Sequence, residues 1–357
     1  MTRKVTYAEA ILAEAVEGMQ GLSAPRVLVA GNRSGGVTVA AMRRFPDAEV
    51  ISHAFDFHHA RAVRKRLLDE ELPAGNVRCS AGVGEPGNTY ALALFMTTPQ
   101  SMPAELVLDQ LQDIHQNLSE GGALYAAFEG DPDEALKTMK MVWKSVNVVQ
   151  RAKHAVLFRA VKHGDPVKVR DFSSTWTASV PGGAPLTFTT YPGCFCHRRP
   201  DAGGLALAEV AVRETAGMPR PVRIIDMGCG CGLVGLLVAA GTDGAKVTMI
   251  DSHARAIAAA EANAARAGIE AEFLLRDDGL PRGRIGEFDI FTGNPPYYSD
   301  YRIADVFLET AYRALRPGGM CLTVVKTASG LLALQEKYFR KAEVIKRRGY
   351  CVLKSVR

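Results

Sequence analysis

The chain has 357 residues, 47% of them hydrophobic and 23% charged, with a formal charge of +5. That balance is ordinary for a soluble globular protein, and the length predicts two domains. The first 20 residues carry acids among the apolar ones and lack a signal-peptide core, and no apolar run approaches the roughly 20 residues of a membrane helix. Seven cysteines, an odd number, fit reduced thiols. The expectation is a cytoplasmic, monomeric protein with no membrane contact.

Residues 5–20 place Ala8, Ile11, Leu12, Ala15 and Met19 at helical spacing. Arg26 to Ala30 reads as a strand, followed by Gly31-Asn32-Arg33-Ser34-Gly35-Gly36 and a helix through Arg44. A second strand covers Glu49 to His53, and Ala91 to Met96 reads as a later buried strand ending at Thr97-Thr98-Pro99-Gln100. Leu118-Ser119-Glu120-Gly121-Gly122 precedes another apolar run, and Ala155 to Ala160 reads as a strand that closes the first domain. His163 to Arg170 is polar with Gly164 and Pro166. It reads as a linker, placing the domains at 1–163 and 172–357 with 164–171 between them.

Phe172, Trp176, Leu186 and Phe188 predict a β-hairpin turning at Pro181-Gly182-Gly183. Cys194-Phe195-Cys196-His197 lacks a second ligand pair, so no metal is expected there. A helix from Leu205 to Thr215 leads to the apolar run Val222 to Ile225. Next comes Asp226-Met227-Gly228-Cys229-Gly230-Cys231-Gly232, then an apolar helix from Leu233. Strand, glycine loop and helix make a nucleotide-like site. Glycines allow a tight turn and close backbone approach, and the helix start offers unpaired N–H groups. Cys229 and Cys231 read as small packing groups.

Lys246 to Ile250 reads as the next strand and ends at Asp251, with Ser252 beside it. An acid about 20 residues past the glycine loop suits the hydroxyls of a ribose. Dinucleotide and S-adenosylmethionine sites fit equally to this point. Ala254 to Ala267 is an alanine-rich helix ended by Gly268. After the strand Glu272 to Leu275 stand Asp277 and Asp278, either of which can accept from an adenine amine or cap a turn.

The strand Phe288 to Thr292 leads to Asn294-Pro295-Pro296-Tyr297. Two prolines without N–H groups stiffen the turn and fix the Asn294 amide and the preceding carbonyls. Methyl transfer to a planar amine uses that arrangement, and hydride transfer does not. Tyr298, Tyr301 and Arg302 follow, as contacts to neighbouring nucleotides or as the start of a helix from Asp305 to Leu315. Met320 to Val325 is a strand, and Val344-Ile345 pairs with Tyr350 to Leu353 as a closing hairpin. Lys326 to Arg357 holds nine Lys or Arg against two Glu, a cationic segment able to attract phosphate or a solvated tail.

The two halves repeat one order of elements, which predicts a duplicated fold. In the first copy Ala30 stands in the place of Asp226, and Thr97-Thr98-Pro99-Gln100 replaces the Asn-Pro-Pro-aromatic turn.

From these motifs, residues 172–357 resemble the class I S-adenosylmethionine-dependent methyltransferases of the Asn-Pro-Pro-aromatic type. Within that class the chain is most similar to the two-domain ribosomal RNA guanine 2-amino methyltransferases of the small subunit, with the large-subunit enzymes close behind. The resemblance implies an α/β fold of two tandem Rossmann-like domains. Each would be a seven-stranded, mostly parallel sheet with helices on both faces, the N-terminal copy degenerate. Tyr191 to Leu205 resembles the family's Pro-Gly-x-Phe-Ser and Leu-Asp-x-Gly segment, with Cys196 for serine and Pro200 for leucine. The resemblance implies S-adenosylmethionine held by Phe195, Asp201, Gly203, Asp226, Gly228, Gly230, Gly232, Asp251, Ser252, Asp277 (over Asp278) and Asn294. It implies catalysis by Asn294, Pro295, Pro296 and Tyr297 on ribosomal RNA or the small ribosomal subunit, without a metal. Tyr297 stands where the family usually has phenylalanine, which keeps adenine N6 and glutamine N5 acceptors open. A non-enzymatic RNA-binding assembly factor is the reading from another class.

Overall fold

The computed structural model describes residues 5–21, 24–31, 33–85, 88–98, 102–164, 168–296 and 301–357. The chain forms two compact units, Met1–Phe172 and Ser173–Arg357.

The first unit runs α1 (Tyr7–Glu17), β1 (Arg26–Ala30), α2 (Gly36–Arg44), β2 (Glu49–Ala54), α3 (Phe57–Asp69), β3 (Val77–Cys79), β4 (Tyr90–Thr97), α4 (Ala104–Asn117), β5 (Leu118–Glu129), α5 (Pro132–Lys140), β6 (Val146–Arg151) and β7 (Ala155–Val161). Its sheet has the order β3-β2-β1-β4-β5-β7-β6, with β7 antiparallel to β5 and β6. Successive side chains of a strand point to opposite faces. Leu28 and Phe95 therefore join one core with Val107 and Leu111 of α4, while Val27, Val29 and Leu94 join another with Leu12 of α1 and Val37 of α2. Thr6 starts α1 by accepting the Glu9 N–H at 3.1 Å.

The second unit opens with the hairpin β8 (Ser174–Ala178) and β9 (Leu186–Thr190), a separate two-stranded sheet. Then follow α6 (Ala202–Thr215), β10 (Arg223–Met227), α7 (Leu233–Ala240), β11 (Lys246–Asp251), α8 (Ala254–Ala267), β12 (Ala271–Leu275), β13 (Phe288–Gly293), α9 (Arg302–Ala314), β14 (Leu315–Val325), α10 (Ser329–Phe339), β15 (Glu343–Arg347) and β16 (Tyr350–Val356). The sheet order is β12-β11-β10-β13-β14-β16-β15, the first unit's order repeated. One face packs Leu207 of α6, Leu236 of α7 and Ala260 of α8; the other packs Phe307 of α9 and Leu331 of α10. Even an irregularity is repeated. Pairing jumps from Phe288↔Leu315 to Ile290↔Met320, and from Tyr90↔Leu118 to Leu92↔Ala123.

The registers correct two expectations. Arg26 pairs with Glu49 as Arg223 pairs with Lys246, so Val29, not Ala30, is the counterpart of Asp226. Ala30 pairs with Phe95 as Met227 pairs with Gly293, so Met96, not Thr97, stands where Asn294 stands. The strand β4 runs on through Thr97, two residues past the counterpart of Gly293, where β13 ends.

The basic C-terminal segment is not a solvated tail. It forms α10, β15 and β16, and the tight turn between the last two is pinned to α6. Arg347 and Arg348 both bond Glu209, the latter at 2.7 Å through Nε, and Lys354 bonds Glu214 at 2.7 Å. Burial alone would raise the Glu209 carboxyl, but the bonds from Arg348 and Arg347 outweigh it and hold the group below its usual range. The Glu209 side chain is 4% exposed and the arginines are 50% and 44% exposed, so solvent screens one side of the cluster. With that discount, Glu209→Ala is expected to cost about 1–2 kcal/mol and to lower the Tm of this unit by roughly 3–6 °C in calorimetry.

Candidate active site

The site is built where β10, β11 and β13 end side by side. Ligands of open α/β sheets bind beyond the carboxyl ends of the strands, where the strand order reverses. That reversal lies here between β10 and β13.

The glycine loop follows β10. Gly228, Gly230 and Gly232 have φ of 70°, 56° and 86°, the left-handed region in which a side chain is strained. Their neighbours differ. A Cβ on Gly228 would meet Phe307 at 2.9 Å and one on Gly232 would meet Leu236 at 3.0 Å, whereas a Cβ on Gly230 would meet nothing within 4 Å. Gly230 thus faces an open cradle. The Gly228 and Cys229 N–H groups donate to the Ile250 carbonyl at 2.8 and 3.0 Å, which fixes the loop to β11. Cys229 and Cys231 are buried, and burial pushes Cys231 up to about 12 and raises Cys229 well above the usual thiol value. They are neutral packing groups, and among the described residues no cluster of three His, Cys, Asp or Glu is arranged for a metal.

Two carboxylates hold the loop from either side. Asp251, at the end of β11, accepts the Gly230 N–H at 2.9 Å and the His253 N–H at 2.8 Å. Asp226 is 2% exposed. Its Oδ2 accepts the Gly235 N–H in the first turn of α7 at 2.9 Å, and its Oδ1 accepts the Thr292 hydroxyl at 2.8 Å. Burial pushes Asp226 up to about 7, against the opposing pull of the bonds from Thr292 and Gly235.

Thr292 lies two residues before Asn294, so the Asp226 bond ties the proline turn to the glycine loop. Asn294 is half-buried, Pro295 buried and Pro296 half-buried. The Asn294 Nδ2 donates to Asp201 Oδ2 at 2.9 Å. Asp201 is also the N-cap of α6 and accepts the Gly204 N–H through the same oxygen at 2.7 Å. Asn294 and Asp201, 93 positions apart in sequence, therefore meet directly. Tyr297 and Tyr298 lie outside the described residues. Tyr301 is at φ 59° as the N-cap of α9.

Other sequence-derived residues fall around this centre. Phe195 is 67% exposed beside the buried Cys194. Gly203 is buried, and a Cβ there would meet the Tyr350 ring at 3.1 Å, so it makes room for packing. Ser252 and Asp277 are half-buried, while Asp278 is exposed and paired with Arg276 at 2.7 Å. Three buried residues escaped the sequence reading. Asn263 of α8 holds Thr189 by N–H and carbonyl at 2.8 and 3.0 Å and donates to the Cys231 carbonyl at 3.0 Å, joining the β9 hairpin to the glycine loop. Arg255 donates to the Pro192 carbonyl at 3.2 Å and anchors the Tyr191–Leu205 segment. Thr292 is the third. A polar residue on the buried stripe of an alanine helix was the visible signal for Asn263 and Arg255. The cavity of ≈ 690 Å³ lined by Gly182, Gly241, Thr242 and Gly268 flanks the ends of α7 and α8, away from these residues.

The first unit has the same loop and fills it. Gly35 caps α2 in the left-handed conformation, as Gly232 caps α7. Glu9, 5% exposed, bonds Ser34 and accepts the Gly36 N–H at 3.0 Å. Thr6 caps α1 as Asp201 caps α6, so Glu9 corresponds to Gly204. A carboxylate from α1 takes the start of α2, whereas Gly204 of the second unit packs against Leu233 of α7. Ala54 follows His53 as Asp251 follows Ile250, so the second acid is missing as well.

Such a loop, its paired acids and the proline turn define a class I methyltransferase domain. Residues 185–354 match the methyltransferase small domain family. The chain is 28% identical over 277 residues to the ribosomal RNA small subunit methyltransferase C of Pseudomonas entomophila, spanning 75% of this chain and 77% of that one. It is 26% identical to the protein of the same name from Salmonella paratyphi B, across 91% and 90% of the two chains. It is 27% identical to the ribosomal RNA large subunit methyltransferase G of Streptomyces avermitilis, across 89% and 83%. The fold matches the T. thermophilus 16S rRNA N2 G1207 methyltransferase, solved with AdoMet and guanosine, with a TM-score of 0.74 at 21% identity, covering 97% and 92%. Over most of its length the chain is similar to these two-domain methyltransferases, and it is an S-adenosylmethionine-dependent methyltransferase.

The residues fit that cofactor: the cradle at Gly230 is open, and Asp251 stands over the loop. Gly230→Ala is expected to lower the Tm by only about 3 °C, because the strain of a left-handed alanine is its main cost. Its affinity for S-adenosylmethionine in calorimetry is expected to fall at least about tenfold, since the methyl group enters the ligand space. A second prediction concerns Asp226, which titrates near 3.8 unfolded and about 7 folded. Between these values the folded state holds a proton that the unfolded state has lost. The stability that Asp226 contributes is therefore present at low pH and lost as pH rises through 7. Thermal melts of Asp226→Asn are expected to gain on the wild type from about pH 4 to about pH 7, by roughly 10 °C, and to run parallel above.

Proposed function

We propose that this protein methylates the exocyclic 2-amino group of a guanine in ribosomal RNA, with 16S RNA of the small subunit as the substrate. The observation that carries the reading is Asn294. It sits at the end of β13, tied through Asp201 to α6 and through Thr292 and Asp226 to the glycine loop. The names of the relatives, small subunit methyltransferase C above all, supply the acceptor class.

The lone pair of an exocyclic purine amine is delocalised into the ring, so the nitrogen is a poor nucleophile. Asn294 Oδ1 and the Pro295 carbonyl accept its two N–H groups and draw it toward tetrahedral geometry. The two prolines hold both acceptors still, so little reorganisation is needed at the moment of reaction. Bound S-adenosylmethionine supplies the electrophilic methyl group. No strong base is required, because the proton leaves after transfer. Tyr297 stacks on the base and holds its plane. A paired base cannot reach this turn, so the target is flipped out or already unpaired. Gly228, Gly230 and Gly232 line the cofactor, Asp251 and Ser252 meet its ribose, and Asp277 accepts from its adenine. Phe195 closes over it, and Asp226 shapes the loop from behind.

Residues 1–163 act as a substrate-gripping domain, joined by 164–171 to the catalytic domain at 172–357. Glu9 of α1, bonded to the start of α2, supports a role other than cofactor binding for that copy. The enzyme works as a cytoplasmic monomer.

The test is the purified chain with labelled cofactor on 16S RNA and 30S particles, read by nucleoside mass spectrometry. N2-methylguanosine is expected, and Asn294→Ala is expected to lower kcat about 100-fold or more with the KM for S-adenosylmethionine little changed. Label found only as N6-methyladenosine, or only in a release-factor glutamine, would contradict the proposal.

A further inference from the structure

Asp201 belongs, by resemblance, to a segment that closes over the cofactor. Its bonds point elsewhere. One oxygen, Oδ2, accepts both the Gly204 N–H at 2.7 Å and the Asn294 Nδ2 at 2.9 Å. The two ends of a carboxamide are nearly equal in shape and opposite in function: one donates and one accepts. A transferred amine offers only N–H groups, so an Asn294 amide turned the wrong way presents donors to donors. An ionised carboxylate accepts only, and so it selects the end it faces. With Nδ2 drawn to Asp201, Oδ1, the accepting end that an amine needs, is turned away from it.

We infer that Asp201 is a positioning residue: it fixes the side-chain orientation of Asn294 so that Oδ1 faces the acceptor amine. This rests on the reading of Asn294 given above. The selection is built from the backbone upward. Asp201 is itself held by capping α6, and that helix is packed in the core through Leu207 and Val210. The bond therefore references the amide to a rigid helix, while the Asp226–Thr292 bond holds the strand end two residues earlier. The same bond polarises the carboxamide and strengthens Oδ1 as an acceptor.

The roles of cap and positioner separate by substitution. Serine caps a helix as well as aspartate does but is one bond shorter and does not span to Asn294. Asn places a carboxamide oxygen where Oδ2 stands and serves both bonds. Steady-state kinetics on 30S particles with S-adenosylmethionine is the measurement, with Tm read in parallel. Asp201→Ser is expected to lower kcat about tenfold or more, with the KM for S-adenosylmethionine within about twofold. Asp201→Asn is expected to keep kcat within about threefold of the wild type. Asp201→Ser/Asn294→Ala is expected to be no slower than Asn294→Ala alone, because the positioner has nothing left to position. If Asp201→Ser melts early, Asp201→Gly, a tolerated cap without a side chain, replaces it in the same comparison. A kcat within twofold for the serine or glycine variant overturns the inference. So does a loss confined to the KM for S-adenosylmethionine, or an equal loss in the asparagine variant. A wild-type rate for Asn294→Ala is a different result, and it rejects the reading of the site itself.

Discussion

A buried carboxylate holds this active site together. Asp226 bonds the first turn of α7 on one side and Thr292 at the end of β13 on the other. Burying it is unfavourable enough to push it up to about 7. Such a group is not there for its packing, since burying it costs stability. What it provides is position. It sets the glycine loop and the Asn294 turn at one rim, 66 residues apart in sequence at the Thr292 bond. Asp251 then holds the loop from the neighbouring strand, and Asp201 holds Asn294 from α6. Three carboxylates, each on a different element, convert one strand-end crevice into a fixed geometry.

The two copies of the fold show what that geometry requires. They share strand order, the irregularity in β5 and β14, and the left-handed glycine before the helix. Val29, Ala54 and Met96 stand at the places of Asp226, Asp251 and Asn294 in the first copy. The helix start that would face a ligand receives Glu9 instead. An N-terminal carboxylate on a helix start is favourable, so the first loop is satisfied internally and stable without a ligand. The second copy carries Gly204 at that position, packed against Leu233, and brings no carboxylate to its helix start; its open space lies at Gly230.

Much of this was legible in the sequence. Strand, glycine loop and helix read correctly in both halves, because glycine at left-handed positions and unbroken apolar strands are local signals. The limits of α8 emerged from alanine content and Gly268. The one-residue slips at Ala30 and Thr97 have a common cause. A strand buried on both faces carries no alternation to fix its register, and only the pairing with neighbours does so. That the cationic C-terminal segment is not a tail was hidden for another reason. Its charge was visible, but Glu209 and Glu214, which neutralise three of its members, lie about 140 positions earlier. The Asp201–Asn294 bond was hidden in the same way: both residues were nominated as cofactor contacts, Asn294 as catalytic too, and only the fold shows that they bond each other.

The central claim is that Asn294, locked by Asp201, receives a guanine amine beside the bound cofactor. A crystal structure of the chain with S-adenosylhomocysteine and guanosine tests it most directly. The account predicts the guanine 2-amino nitrogen about 3 Å from both Asn294 Oδ1 and the Pro295 carbonyl, with the Asn294–Asp201 bond intact. A guanine whose amine faces away from that turn, or an Asn294 amide rotated to give Nδ2 to the base, would contradict it.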